Sequence, residues 1–192
     1  MTTVYLIRHG QTQGNLERRY IGSTDQPLCP AGREALAGRR MPPVDRVYAS
    51  PLRRCRETAA ALYPGAEVEI VPDFRECDFG EFEMKTYEEL KDSPAYRFWL
   101  DTGGASAPPG GEGKDSFRRR TVAAFRSLAA KWHGGETAAL VVHGGTIMAL
   151  LEALEPSHDF YRWQADNGCG FRCVLAGGVL NVESPEPRPA TF

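Results

Sequence analysis

Surplus positive charge and long apolar runs are both missing from this 192-residue chain. Its 23 Lys and Arg residues stand against 25 Asp and Glu residues, which gives a net charge of −2. This balance excludes a strongly basic nucleic-acid-binding protein, because such a protein needs surplus positive charge to neutralise a row of phosphates. No apolar run reaches the length of a membrane-spanning helix, and the N-terminus lacks the basic and apolar regions of a signal peptide. We therefore expect a cytoplasmic protein with no nucleic-acid or membrane partner.

Cysteines are few, odd in number and without repeating pairs: Cys29, Cys55, Cys77, Cys169 and Cys173. This pattern argues against a disulfide framework and against a zinc site. The pair Cys169 and Cys173 lies in a strand-like run, where residues four apart are separated by about 13 Å. That distance is too long for two ligands of one zinc ion. The sequence predicts no metal and no cofactor.

Short apolar runs alternate with longer helical patterns along the chain. Strands are predicted at 4–7, 46–49, 68–71 and 138–142, with a closing hairpin at 169–175 and 179–182. Helices are predicted at 31–40, 53–63, 117–132 and 146–154. This order predicts one α/β domain over 1–192, a three-layer α/β/α sandwich whose central sheet is largely parallel with an antiparallel edge. The segment 102–113 is rich in Gly, Ala, Ser, Thr and Pro, which predicts a mobile loop extending towards 116.

Three predicted strands run directly into basic or glycine-flanked residues. The first is followed by Arg8 and His9, the second by Arg53 and Arg54 after a short turn, and the fourth by His143. The carboxyl ends of parallel strands form the ligand crevice of an open sheet. Helices that start beyond these ends would add N-terminal dipoles and free N–H groups, which favour an anion. We expect the two histidines and at least two arginines to meet at one edge of the sheet.

Such a cluster suits phosphoryl transfer. Arginine forks match phosphate oxygens and keep their charge at any working pH. A histidine ring nitrogen can attack phosphorus as a nucleophile, and phosphoryl transfer asks mainly for positioning and charge stabilisation. Since no cluster of metal ligands follows the strands, the arginines are expected to take the role that Mg²⁺ has elsewhere.

Residues 8–15, Arg-His-Gly-Gln-Thr-Gln-Gly-Asn, resemble the RHGxTxxN signature of the histidine phosphatases, the superfamily that includes cofactor-dependent phosphoglycerate mutase. The resemblance continues in the same order through 22–28, 50–59, 75–83, 109–112 and 142–145. It departs at Cys29, where many relatives have Thr, and after Glu112, where a short insertion precedes the usual Ser. The resemblance implies a phosphoglycerate mutase-like fold.

The resemblance also implies roles for individual residues. His9 is the nucleophile, and Glu76 is the acid that protonates the leaving alkoxide and then activates water. Arg8, Arg54 and His143 bind the phosphoryl oxygens with help from Asn15. Further substrate-binding positions are Thr12, Gly22 and Gly144. Attack requires a neutral His9, and nearby arginines disfavour a second cation there.

For some of these residues a second interpretation stays open. Arg54 sits beside Arg53 and could belong to a solvated helix face, and Glu76 lies in an acidic stretch. The aromatic residues Tyr87, Phe98 and Trp99 either form a wall over the pocket or belong to a satellite core. His133 and His158 are expected to be local caps or surface residues.

Three functions are compatible with the resemblance. The first is a phosphomonoesterase acting on a small phosphorylated metabolite, with α-ribazole 5′-phosphate as the candidate because the 75–83 block and the Pro-Pro-Gly-Gly-Glu loop are similar to α-ribazole phosphatases. The second is a phosphoglycerate mutase, which is disfavoured because mutases resemble a longer branch with a segment that shields the phosphohistidine. The third is a non-catalytic binder of phosphorylated ligands, which would be expected to lack the nucleophile or the acid.

Overall fold

The computed structural model describes residues 1–157 and 160–186, and a six-stranded sheet forms its centre. The strands are β1 (Thr2–Arg8), β2 (Arg46–Ala49), β3 (Val68–Ile70), β4 (Thr137–Val142), β5 (Gly170–Ala176) and β6 (Val179–Glu186). Their order across the sheet is β3-β2-β4-β1-β5-β6. The first four are parallel to one another, whereas β5 is antiparallel to both β1 and β6. The predicted parallel sheet with an antiparallel edge is confirmed.

Helices cover both faces of this sheet. They are α1 (Gln13–Leu16), α2 (Pro30–Leu36), α3 (Arg53–Leu62), α4 (Tyr87–Leu90), α5 (Pro94–Asp101), α6 (Lys114–Ala129) and α7 (Gly144–Leu154). Single 3₁₀ turns lie at Pro72–Phe74, Gly80–Phe82 and Tyr161–Trp163.

Alternation along β1 and β4 divides the core into two layers. Leu6 and Leu140 pack with α6 and α7 on one face, while Ile7 and Val141 pack with α2 and α3 on the other. Successive side chains of a strand point to opposite faces, so a run that is apolar throughout must be covered on both sides. The three-layer sandwich follows from these two uninterrupted apolar strands.

Several helix predictions differ from the structure. The helix predicted over 117–132 spans Lys114–Ala129, and the one-turn helices α1 and α4 lie outside the predicted helices. The helix predicted over 31–40 ends at Leu36, because Ala37 is extended and Gly38 has a φ of +73°, a conformation that ends a helix readily. Helix α5 was not predicted at all. It begins with Ser93 as N-cap and Pro94 in its first turn, a start signal that the short apolar pattern alone does not reveal.

The loop between α5 and α6 is hydrogen-bonded through its main chain to the segment that follows β3. The carbonyl of Pro109 accepts from the N–H of Glu81 at 2.9 Å, and the N–H of Glu112 donates to the carbonyl of Asp78 at 2.8 Å. Pro108 is buried. The mobility of this loop stays a prediction. Across the described ranges, no helix has the length and apolar character needed to cross a membrane.

Candidate active site

The carboxyl ends of β1 and β4 bring two histidines together. Arg8 pairs with Val142 in the parallel register, and the N–H of His9 donates to the Val142 carbonyl at 2.9 Å. His143 follows at the end of β4 and is the N-cap of α7. The rings of His9 and His143 therefore lie with centroids 5.2 Å apart. The meeting of these residues at one sheet edge agrees with the sequence prediction.

One ring nitrogen of His9 is fixed by the main chain. Its Nδ1 lies 2.7 Å from the carbonyl oxygen of Gly10. Because a carbonyl only accepts, Nδ1 must carry the proton, and the neutral ring then has its lone pair on Nε2. Burial holds the pKa of His9 well below its usual range, and the charges of Arg54 and Arg8 lower this pKa further. The ring is thereby kept in the form that can attack phosphorus.

Arg54 is fully buried beneath the two histidines, which excludes the solvated helix face as its location. Its guanidinium donates to the carbonyls of Thr24 at 2.7 Å and Gly22 at 2.9 Å, and its Nε donates to Nδ1 of His143 at 3.2 Å. Nε2 of His143 then carries the proton of the neutral ring and lies 2.7 Å from Ser50 Oγ. Burial, followed by the charge of Arg54, lowers the pKa of His143 well below its usual range. Direct contact of Arg54 and His143 with a phosphoryl group stays a prediction.

Arg8 has a buried donor that no described residue accepts. Its Nη1 donates to the carbonyl of Ala165 at 2.8 Å. Its buried Nε has no hydrogen-bond partner among residues 1–157 and 160–186. A buried, charged donor without an acceptor is costly, and an anion at this point would supply the acceptor.

A cavity of about 210 Å³, which we call the polar cavity, opens over His9. Its wall includes Arg8, His9, Asn15, Arg19, Tyr20 and Glu76. Gly144 and Gly145 border it as the first residues of α7, so the N-terminus of an eleven-residue helix faces the cavity. Helix N-termini favour anions, and this end of α7 adds to the charge of Arg8.

Glu76 lies on the cavity wall with only 8% of its surface exposed, which excludes a solvated acidic surface as its location. Its carboxyl oxygens accept from the N–H groups of Cys77 and Gly145, both at 2.9 Å. Burial raises the pKa of Glu76, while these two hydrogen bonds and the charges of Arg54 and Arg8 oppose the shift. A carboxyl group with a raised pKa is suited to donating a proton.

The predicted substrate-binding residues Thr12 and Gly22 do not line the polar cavity. Thr12 is fully buried and caps α1, where its N–H and hydroxyl both donate to Oδ1 of Asn15 at 3.1 Å. Asn15 is therefore held with its amide nitrogen as the group it can offer to a ligand. Gly22 serves Arg54 through its carbonyl. In this structure Thr12 and Gly22 support the residues around the cavity instead of bordering it.

Two supporting residues had no assigned role in the sequence. Asn167 donates to the carbonyl of His9 at 3.1 Å and to Asn15 Oδ1 at 3.2 Å. Glu83 accepts from the N–H groups of Gly22 and Ser23 at 2.9 Å, which shapes the loop that holds Arg54. Glu83 belongs to the 75–83 block, so a signal for it was present, whereas Asn167 lies outside every block.

A second cavity of about 200 Å³, which we call the apolar cavity, adjoins the polar one. Its wall includes Tyr20, Phe79, Trp99, Phe117, Met148 and Phe160. Glu76 and Gly145 border both cavities. A group leaving from phosphorus beside His9 therefore has an apolar space next to the proposed proton donor.

Of the three aromatic residues predicted to form a wall, only Trp99 lies on this cavity, and it also packs against the small core cluster of Phe82, Leu90 and Tyr96. Trp99 lines the apolar cavity and packs with Tyr20 and Phe82. Phe98 and Tyr87 are 62% and 55% exposed and do not line it, because α5 turns Phe98 outward and Tyr87 lies on α4. His133 is exposed, as expected, and His158 lies outside the described residues.

Within the described ranges, no group of three or more His, Cys, Asp or Glu side chains is placed to hold a metal ion. Cys169 precedes β5, and Cys173 is buried within it. Cys29 caps α2 by accepting from the N–H of Gly32 at 3.3 Å, which is the task that a Thr hydroxyl would perform.

Comparison with known proteins gives one family and several named relatives. The model of the histidine phosphatase superfamily (branch 1) matches residues 4–184. The chain is 30% identical over 190 residues to the adenosylcobalamin/alpha-ribazole phosphatase of Salmonella typhimurium, with 94% of each chain covered. It is 32% identical over 162 residues to the metal-independent phosphoserine phosphatase of Arabidopsis thaliana, covering 78% of this chain and 67% of that one. The crystal structure of the alpha-ribazole phosphatase from Shigella flexneri superimposes with a TM-score of 0.82 at 26% identity, with 94% of each chain covered.

Proposed function

Because this chain belongs to the histidine phosphatase superfamily (branch 1), we propose that it is a metal-independent phosphomonoesterase of small phosphorylated metabolites that works through a phosphohistidine on His9. One observation carries the proposal. His9 with a lone pair on Nε2, Arg8 with an Nε that has no partner among the described residues, and Glu76 with its carboxyl group all border one cavity. A non-catalytic binder has no need of a nucleophile and a proton donor placed together.

The reaction has two steps. In the first, Nε2 of His9 attacks phosphorus, the bond from phosphorus to the ester oxygen breaks, and Glu76 transfers its proton to the leaving alkoxide. In the second, the Glu76 carboxylate removes a proton from water, the hydroxide attacks phosphorus, and the bond to His9 breaks. Inorganic phosphate and free His9 result, and Glu76 is protonated again. Arg8 and the N-terminus of α7 stabilise the phosphoryl oxygens throughout.

Hydrolysis is favoured over mutase activity by the segment between Glu83 and Ser116. It contains α4, α5 and the Gly- and Pro-rich loop, with α4 only four residues long and α5 eight. A mutase must keep water away from its phosphohistidine while the intermediate reorients. The small segment here offers little cover, so water is expected to reach the phosphoenzyme.

The candidate substrate is α-ribazole 5′-phosphate. Two of the reported relatives carry the name alpha-ribazole phosphatase. The apolar cavity supports the same choice, since the aromatic base of such a substrate could pack there while its phosphate reaches His9.

The proposal is tested by turnover in the presence of excess EDTA. Purified protein should hydrolyse p-nitrophenyl phosphate and α-ribazole 5′-phosphate without added metal. The phosphoenzyme should be trapped by quenching in alkali, because phosphohistidine hydrolyses in acid. His9→Ala should abolish both activities and the trapped phosphoenzyme, because the nucleophile is removed. Activity that EDTA abolishes and Mg²⁺ or Zn²⁺ restores would contradict the metal-free mechanism.

The apolar cavity is tested with a matched pair of substitutions on α5. Trp99→Ala should raise KM for α-ribazole 5′-phosphate by about 10-fold or more while changing KM for ribose 5-phosphate little, since only the aromatic substrate reaches that wall. Phe98→Ala, at an exposed position of the same helix, is the control and should change neither. If Trp99→Ala lowers stability but leaves both KM values alone, Trp99 is part of a satellite core only.

A further inference from the structure

Arg120 donates hydrogen bonds to the main chain of the segment that carries Glu76, the proposed proton donor. From α6 its Nη1 donates to the carbonyls of Asp73 at 2.7 Å and Arg75 at 2.9 Å. Its Nη2 donates to the carbonyl of Glu76 itself at 3.0 Å. The remaining N–H groups bind Glu112, with Nε 2.8 Å from Oε1 and Nη2 2.6 Å from Oε2. These contacts use all five N–H donors of the guanidinium.

The segment that Arg120 contacts begins in the single 3₁₀ turn Pro72–Phe74 and continues beyond it. Arg75 and Glu76 belong to no helix or strand, and a carbonyl outside regular structure needs a partner from elsewhere. Arg120 donates to three main-chain carbonyls within the four residues 73–76. Its side chain is only 12% exposed, so competition from water is weak.

Glu112 completes the arrangement from the other side. Its side chain is 15% exposed and forms a two-pronged ion pair with Arg120. Its main chain contacts the same segment, with its N–H on the carbonyl of Asp78 at 2.8 Å and its carbonyl 3.4 Å from Cys77 Sγ. Because Glu112 offsets the charge of Arg120, the contribution of Arg120 to Glu76 is mainly geometric.

We propose that Arg120 is a positioning residue for the proton donor, holding the main chain of 73–76 so that the Glu76 carboxyl group stays between the two cavities. The inference rests on the proposed function, in which Glu76 protonates the leaving group. Arg120 borders neither cavity and touches no reacting atom. Loss of the hydrogen bonds from Arg120 should therefore slow proton donation by Glu76 and leave the attack by His9 largely intact.

The experiment compares two leaving groups in single-turnover phosphorylation. An alkoxide leaves poorly and depends on the acid, whereas a nitrophenolate scarcely needs a proton. Arg120→Met should slow phosphorylation by ribose 5-phosphate by about 10- to 100-fold, since small misplacements of a reacting group have effects of that size. With p-nitrophenyl phosphate the rate should fall less than about 3-fold. Arg119→Met, an exposed neighbour on α6, is the matched control and should alter neither rate.

A second arm asks whether Arg120 acts through Glu76. In a Glu76→Gln background, Arg120→Met should lower the ribose 5-phosphate rate by less than about 2-fold more, because the group it positions is already lost. Arg120→Lys should not restore the rate, since an ammonium group has three donors and no planar fork. If Arg120→Met does not fold, judged by circular dichroism, the ratio of the two rates in Arg120→Lys decides instead.

Two results would overturn the inference. One is an equal loss with both leaving groups, and the other is a full additional loss in the Glu76→Gln background. Failure of the proposed function looks different, because the unmodified protein would then phosphorylate His9 with neither substrate.

Discussion

Replacement of Glu76 by Gln tests the acid at the centre of the site. Gln has the same shape, but its amide nitrogen cannot accept the hydrogen bond that the Gly145 or Cys77 N–H now donates. One main-chain donor is left without its acceptor, which costs about 1–3 kcal/mol of stability. The fold should tolerate this loss, so a change in rate can be assigned to the missing proton.

The magnitude depends on the leaving group. General acid catalysis typically contributes about 10²–10⁴-fold, which corresponds to about 3–5 kcal/mol of barrier at 1.36 kcal/mol per factor of ten. Glu76→Gln should lose this factor with ribose 5-phosphate and keep most of its rate with p-nitrophenyl phosphate. Because Glu76 is also proposed to activate water in the second step, rapid-quench bursts of phosphoenzyme must be compared, not steady-state rates.

The pH profile gives the same prediction an independent check. Phosphorylation needs His9 deprotonated, above a pKa that burial has lowered, and Glu76 protonated, below a pKa that burial has raised. With ribose 5-phosphate the rate should therefore fall as pH rises through the pKa of Glu76, and Glu76→Gln should remove this alkaline decline. Equal slowing of both substrates in the burst, with the alkaline decline unchanged, would show that another group protonates the leaving oxygen.

Two further substitutions test the support around the site. Gly145→Ala would place a Cβ 2.4 Å from Glu76 Oε1, so the carboxyl group must move and burst rates with alkyl phosphates should fall about 10-fold or more. Arg54→Met strips donors from the buried carbonyl of Gly22 and the partly buried carbonyl of Thr24, and it should lower the free energy of unfolding in urea by at least about 1–3 kcal/mol, the cost of one buried unsatisfied group. Arg53→Met is its control, with a change under about 0.5 kcal/mol, because that side chain is 57% exposed in an i,i+4 pair.

The sequence was most informative where the apolar pattern was continuous. The strands that end at Arg8 and His143 are apolar on both faces, and the register of two parallel strands then places His9 beside His143. The family resemblance assigns phosphoryl binding to Arg54 and not to its neighbour Arg53. Helix phase gives the physical reason, since Arg54 lies four residues before the buried Thr58 and faces the same way.

Other features depend on contacts that no local pattern encodes. Residues 76–79 show neither the alternation of apolar residues typical of a strand nor the spacing typical of a helix. Nothing near Glu76 in the sequence therefore indicates that the N–H of Gly145 donates to its carboxyl group. Three consecutive arginines end at Arg120, and all three resemble a solvated face. Only the inward phase of α6, set by Phe117 and Thr121, turns Arg120 towards the 73–76 segment.

Burial shifts the pKa values of His9 and Glu76 in opposite directions. It disfavours the charged form of any group, so it lowers the pKa of His9 and raises the pKa of Glu76. Both shifts favour the neutral form, which in the proposed mechanism is the nucleophile in one case and the proton donor in the other. The arginines cannot respond in this way, because a guanidinium keeps its proton at any working pH. The pocket therefore holds neutral reactants beside the fixed positive charges of Arg8 and Arg54. In the proposed mechanism a phosphate dianion offsets these positive charges on binding, and its own charge would in turn favour the protonated acid that the first step consumes.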